Sequence, residues 1–377
     1  MVFRSILRLL TILLALLAVP AAGQGVGTLV SADSVSEVPT GMQAWRIVYR
    51  TTNQDGAPQQ VTGMVIAPRE AAPANRRRVI AWAHGLSGVA ERCAPSLSPS
   101  FFKVIPALQE VIRRGYVVVA PDYPGLGSVG PHGSLVGRDT AQSVLDAVRA
   151  SRAIPAAAAG SRFALWGESQ GGHAALWTAN EAARYAPDLT LVGTVAAAPP
   201  TDLVANLREG ADPNARTMLT AYITYSWSQR FHVPLSKLYN RRIEGVVTRL
   251  ARNNCVEMGK TPRLGTILGI ATVRQALRNK DIGRIEPWAG IAKANSVVAS
   301  RVPQPLLLLQ GGKDTIVAPA VTRNFARNWC RTGRSLRYID LPNADHPGAA
   351  REGSAATLDW IDARFAGERP PSDCGSL

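Results

Sequence analysis

The sequence predicts an α/β chain: a mostly parallel sheet flanked by helices, with one inserted helical cap. Three observations carry this. Continuous apolar runs recur at Val79–Ala83, Tyr116–Ala120, Phe163–Trp166, Leu191–Ala197, Pro305–Leu309 and Leu336–Leu341, as expected of strands covered on both faces. Helical stretches at Gly137–Ala153, Val321–Cys330 and Ala355–Phe365 alternate with them, which implies right-handed crossovers. Between Pro199-Pro200 and Val302-Pro303 lie about a hundred residues rich in helix formers and arginine, without clear strands. A single crossover does not need that length.

The elements follow in chain order. Residues 1–23 carry Arg4 and Arg8, an apolar run from Leu9 to Val19 broken only by Thr11, and small residues around Pro20-Ala21-Ala22-Gly23. This is the pattern of a removable signal peptide. The run is too short for the ~20 residues that span a bilayer. A secreted or periplasmic location is therefore expected. Residues 24–200 form the first part of the sheet domain, 201–300 the cap and 301–377 the second part. In the first part, Ala44–Arg50 and Gln60–Ile66 alternate, with Asn53-Gln54-Asp55-Gly56 between them as a turn, so an antiparallel hairpin leads the sheet. Four cysteines in an exported chain point to disulfides. Three pairings are open; Cys93–Cys255 with Cys330–Cys374 is the one expected, the second pinning a tail of little apolar content.

The charge is +15, or +13 without the first 23 residues. The arginines are scattered and no aromatic-interleaved basic stripe accompanies them, so nucleic-acid binding is not expected. Attraction to anionic lipid or cell-wall surfaces is compatible with this charge. The cysteines are far apart, no H-x-x-x-H or C-x-x-C pair occurs, and no phosphate-binding glycine loop follows a first strand. No metal or cofactor is implied, and no stable protein partner.

Gly167-Glu168-Ser169-Gln170-Gly171 follows the run Phe163–Trp166 and precedes a helical stretch beginning Gly172-His173-Ala174. Strand, G-x-S-x-G, helix is the layout that presents a serine hydroxyl at the tip of a sharp turn, above a helix N-terminus. Ser169 is thus the candidate nucleophile. Such a serine needs a base and an acid that orients it. Of five histidines only His232 and His346 lie well downstream, and His346 sits after the last strand, at the carboxyl edge of the sheet. Asp314 emerges from the glycine turn after Leu306–Leu309; Asp340 and Asp345 are its rivals. Oxyanion donors are expected from the Gln170 N–H and from Leu86 or Ser87 in the loop after Val79–Ala83.

Trp82-Ala83-His84-Gly85-Leu86-Ser87-Gly88-Val89 with Cys93-Ala94-Pro95-Ser96, Gly115–Gly127 and Gly167–Ala175 together resemble the secretory lipase family of α/β-hydrolases. That family includes Candida-type lipase A and actinobacterial exported lipases. The resemblance covers about residues 40–365 and is weakest in the cap. It implies the α/β-hydrolase fold, with Ser169 as nucleophile, Asp314 as acid and His346 as base. It also implies the same cysteine pairing and a cap over an acyl-chain tunnel. Leu86-Ser87 stands where relatives often carry Thr-Thr, so the second donor stays open between those two residues. The expected function is hydrolysis of carboxylic esters, triacylglycerol or other acyl esters, by an exported serine esterase or lipase. A serine peptidase or amidase with the same triad, and a non-catalytic cell-wall-binding protein, are the alternatives.

Overall fold

In the computed structural model, which describes residues 25–256, 262–302 and 305–377, the chain enters its sheet through an antiparallel meander. The candidate signal peptide at 1–23, and Pro303 at the end of the insertion, lie outside the described residues. Strand β1 (Leu29–Ser34) pairs with β2 (Met42–Thr52), and β2 with β3 (Pro58–Pro68). The Asn53 side-chain oxygen accepts the N–H groups of Asp55 and Ala57 and closes the second hairpin, as asparagine does in turns. No residue of β1 is fully buried, so it shows no apolar period and the sequence reading misses it.

Six further strands are β4 (Arg77–Ala83), β5 (Val117–Pro121), β6 (Ala159–Glu168), β7 (Thr190–Ala197), β8 (Leu306–Gly311) and β9 (Leu336–Leu341). The sheet order is β1-β2-β3-β5-β4-β6-β7-β8-β9. The β3–β5 pair is antiparallel, and β4 through β9 run parallel to their neighbours. Because β5 lies on one side of β4 and β6 on the other, the chain reverses its winding there. The loops leaving the carboxyl ends of the strands part at that point, which is where sheets of this kind bind ligands.

Helices α1 (Phe101–Val104) and α2 (Leu108–Arg113) precede β5; α3 (Gly137–Ser151) and α4 (Gln170–Tyr185) flank β6. After β8 come α10 (Pro319–Cys330), α11 (Gly348–Glu352) and α12 (Ser354–Phe365). One apolar core packs α3, α4 and α10 on one face of the sheet; the other packs α1, α2 and α12 on the opposite face. Helix α3 is buried on nearly every side. It therefore carries the polar Asp146 inside, whose carboxylate accepts from the Thr51 and Tyr185 hydroxyls and from Arg149.

Between β7 and β8 run α5 (Leu203–Glu209), α6 (Pro213–Phe231), α7 (Arg241–Asn253), α8 (Leu264–Leu277) and α9 (Trp288–Asn295), with no strand among the described residues. Asp202, Asp212 and Asn240 cap α5, α6 and α7 by accepting first-turn N–H groups. These helices enclose a third apolar cluster around Trp227, Tyr222, Leu250 and Trp288, which Val89, Leu135 and Val136 join from the sheet domain. Cys93 is bonded to Cys255 and Cys330 to Cys374. The first bond ties the loop after β4 to the end of α7. The second holds the tail, where Asp373 also accepts from the Tyr338 N–H on β9.

Candidate active site

The turn between β6 and α4 is formed by backbone groups in contact. A Cβ on Gly171 would lie 1.8 Å from the Ala83 carbonyl oxygen, and one on Gly167 would lie 2.0 Å from the Gly171 carbonyl oxygen. Only glycine fits at either position. Between them Ser169 takes φ 55° and ψ −122°, a conformation that costs an L-residue about 1–3 kcal/mol and marks sites that need it. The Ser169 N–H donates to the Ala197 carbonyl (2.9 Å), which anchors the turn to β7. The Ser169 side chain stands at the amino end of α4, where the helix dipole favours negative charge.

Asp314 and His346 are brought together by the turns after β8 and β9. The Gly312 N–H donates to the Leu341 carbonyl (2.8 Å) and the Lys313 N–H to the Ala344 carbonyl (3.0 Å). A side chain on Gly311 would meet the Ala344 carbonyl oxygen at 2.5 Å, so the two loops lie back to back. His346 Nδ1 is 2.7 Å from Asp314 Oδ2, and both residues are buried. With Nδ1–H donating to the carboxylate, Nε2 is left as the acceptor.

Asp314 is held on all sides. Oδ1 accepts the N–H groups of Ile316 and Val317, each at 2.9 Å. Oδ2 also accepts from Gln310 Nε2 at 3.0 Å. Gln310 is itself buried, with its oxygen accepting from the Thr322 hydroxyl at 2.7 Å. The sequence reading misses Gln310. The available signal was a single amide closing the apolar run Leu306–Leu309 at the edge where the acid emerges.

The rivals are engaged elsewhere. Asp345 accepts the Gly348 N–H at the start of α11; Asp340 pairs with Arg323 at 2.8 Å. His232 ends α6 at φ 55° and makes no hydrogen bond to this pair. Ser169 Oγ makes no hydrogen bond to a described residue, His346 included. Such a bond commonly closes only when substrate is bound. The Ser169 N–H reaches the end of β7, and the next N–H along, that of Ala198, donates to the Leu309 carbonyl on β8 (2.8 Å), so the elbow and the loop that carries Asp314 leave the same edge of the sheet.

The loop after β4 runs past the nucleophile. A Cβ on Gly85 would sit 3.7 Å from that of Ser169. The His84 ring stacks on Tyr123 with centroids 4.2 Å apart, and the Tyr123 hydroxyl donates to the His84 carbonyl. The Ser87 carbonyl accepts the Val256 N–H at 2.8 Å, one residue beyond the disulfide at Cys255. Neither the Leu86 nor the Ser87 N–H donates to a described residue. His173, one turn into α4, donates from Nε2 to the Asn295 carbonyl (2.7 Å), and burial pushes its pKa down to about 4. Among the described residues no cluster of three or more His, Cys, Asp or Glu could hold a metal ion, and no helix is long and apolar enough to cross a membrane.

Comparison with known proteins bears on the family and the fold. The family model described as secretory lipase matches residues 103–373. Lipase 4 and lipase 5 of Candida albicans are each 25% identical to this chain, over 359 and 353 residues. Those stretches cover 89% and 88% of this chain and 76% and 74% of the relatives. Among solved structures, Candida antarctica lipase A in its closed state superimposes with a TM-score of 0.75 at 21% identity, covering 93% of this chain and 85% of that one. The rice cell wall degrading esterase LipA from Xanthomonas oryzae does so with a TM-score of 0.70 at 16% identity, covering 92% and 100%. The fold is the α/β-hydrolase fold.

Proposed function

The chain belongs to the secretory lipase family, and on that premise we propose that it is an exported serine esterase or lipase acting on triacylglycerol or other acyl esters. One observation supports this above the rest: a buried His346–Asp314 hydrogen bond on the sheet edge where Ser169 is held in a strained strand-to-helix turn. In this reading Ser169 Oγ attacks the ester carbonyl carbon as His346 Nε2 takes its proton. Asp314 accepts from Nδ1–H and stabilises the imidazolium. The oxyanion is met by the Gln170 N–H and by that of Leu86 or Ser87. His346 then returns the proton to the departing alcohol. Water then attacks the acyl carbon as His346 Nε2 takes its proton; the bond to Ser169 Oγ breaks, the proton passes to that oxygen, and the acid is released.

The insertion, about residues 201–300, acts as a cap that sets substrate size and faces lipid. Residues 1–23 direct export. Hydrolysis of a p-nitrophenyl ester series from short to long acyl chains tests the proposal. Ser169→Ala should lose at least ~10⁴-fold in kcat with the fold intact. A peak at long chains means an acyl tunnel under the cap, and a short-chain peak a closed pocket. Hydrolysis that survives Ser169→Ala refutes the assignment.

A further inference from the structure

Gln170, the residue that follows the nucleophile, is buried, and its side-chain amide is held at both ends. Its oxygen accepts from the Ser134 hydroxyl at 2.5 Å, and its nitrogen donates to His132 Nε2 at 3.4 Å. His132 Nδ1 faces the Pro124 carbonyl oxygen at 3.0 Å and must carry the hydrogen, which leaves Nε2 to accept. Burial keeps this ring neutral, with its pKa pushed down to about 4.

The same short loop is gripped from the insertion. Ser226, on α6, accepts the Ser134 N–H at 2.8 Å and donates to the His132 carbonyl at 2.5 Å. The neighbouring Trp227 donates from Nε1 to the Ser134 carbonyl at 2.8 Å. Ser134, Ser226, His132 and Trp227 are all buried. A buried polar chain is favourable only when its members are satisfied, and every group in this one has its partner. The side chain of Gln170 is thus committed to the chain, and its Cα position, with the N–H one atom away, is fixed by it.

We propose that Ser226 is a positioning residue: through Ser134 it holds Gln170, and so aims the N–H that meets the oxyanion. The helical insertion and the nucleophile turn then form one hydrogen-bonded unit, and α6 cannot swing away from the sheet domain without disturbing catalysis. This inference rests on the reading of Ser169 as nucleophile and Gln170 as donor. Without the Ser226 hydroxyl, the Ser134 N–H and the His132 carbonyl are left buried and unpaired, and the loop must shift. A donor displaced by a fraction of an ångström loses transition-state stabilisation while substrate binding is kept.

The test compares the parent with Ser226→Ala, Ser134→Ala and Ser226→Thr on the best p-nitrophenyl ester. Inhibition by a trifluoromethyl ketone, which forms an oxyanion on attack, is measured in parallel. Both alanine variants should lose ~10- to ~100-fold in kcat, keep KM within a few-fold, and lose ketone affinity by the same factor. Ser226→Thr, which restores the hydroxyl, should recover most of both. Should Ser226→Ala fail to fold, Ser134→Ala carries the test, since its hydroxyl donates only to Gln170. Unchanged kcat and ketone affinity in the alanine variants overturn the inference, as does a loss confined to KM. Fluorophosphonate labelling of the parent keeps the two readings apart: an unlabelled Ser169 overturns the proposed function itself.

Discussion

Glu168 lies between the sheet and the nucleophile, and no described residue hydrogen-bonds its carboxylate. Burial pushes its pKa from 4.5 up to about 7; His346 and Arg351 pull it down, and Asp314 and Asp345 push it further up. The folded protein therefore keeps a proton that the unfolded chain has lost between these values. The stability this group contributes is present in full below pH about 4.5 and is lost as pH rises through about 7. Glu168→Gln removes that dependence, and the denaturation midpoint should fall less between acid and alkaline pH, by about 1–3 kcal/mol of stability. A glutamine variant whose midpoint falls as steeply with pH as the parent's would show that Glu168 does not carry this dependence.

At the scale of elements, the two disulfides hold different parts of the chain, one the loop after β4 and the other the tail. The Cys93–Cys255 bond spans 162 residues and Cys330–Cys374 spans 44. Each constrains the unfolded chain and should be worth about 2–4 kcal/mol, the longer loop somewhat more. Their effects on activity should differ. Replacing Cys93 and Cys255 with serine frees the end of α7, and with it the Val256 N–H that holds the Ser87 carbonyl. Both pairs of substitutions should lower Tm, but only the first should lower kcat at temperatures well below it. Equal losses of kcat would show that the loop does not depend on its tether. The sequence makes the parallel strands legible because burial on both faces demands unbroken apolar runs such as Val117–Ala120. It makes the nucleophile turn legible because Gly167 and Gly171 have no room for a side chain. Strand β1 and helix α1 are not legible, since they carry too few buried positions to show a period, and α2 is too short to repeat its own. Nor is the chain from Gln170 to Ser226, whose members meet only because the topology brings α6 against the loop at 132–134. Serine and glutamine at those positions read as surface residues until the fold buries them.

At the scale of the whole molecule, charge and exposed apolar surface are unevenly distributed. Residues 201–300 carry 15 Lys and Arg against 7 Asp and Glu, more than half of the net +15. In the same segment, Leu264, Ile267 and Leu268 are 71%, 47% and 59% exposed. Their i, i+3, i+4 spacing puts them on one face of α8, beside Arg263. Water-exposed aliphatic side chains grouped this way mark an interaction surface, and the positive excess of the segment favours an anionic one. The predicted partner is a lipid surface, with the leucines entering the apolar boundary and the arginines meeting head groups. Vesicles of phosphatidylcholine alone, and of phosphatidylcholine with phosphatidylserine, separate the two contributions. Binding should be tighter to the anionic vesicles and should weaken as added salt shortens the Debye length from ~10 Å at 0.1 M toward ~3 Å at 1 M. Replacing Leu264, Ile267 and Leu268 together with serine should weaken binding to both vesicle types, leave hydrolysis of a short soluble ester unchanged, and reduce hydrolysis of an emulsified one. Binding that ignores both lipid charge and salt would leave the positive charge of this segment without a role at the membrane. A triple variant that binds as tightly as the parent would move the contact away from α8.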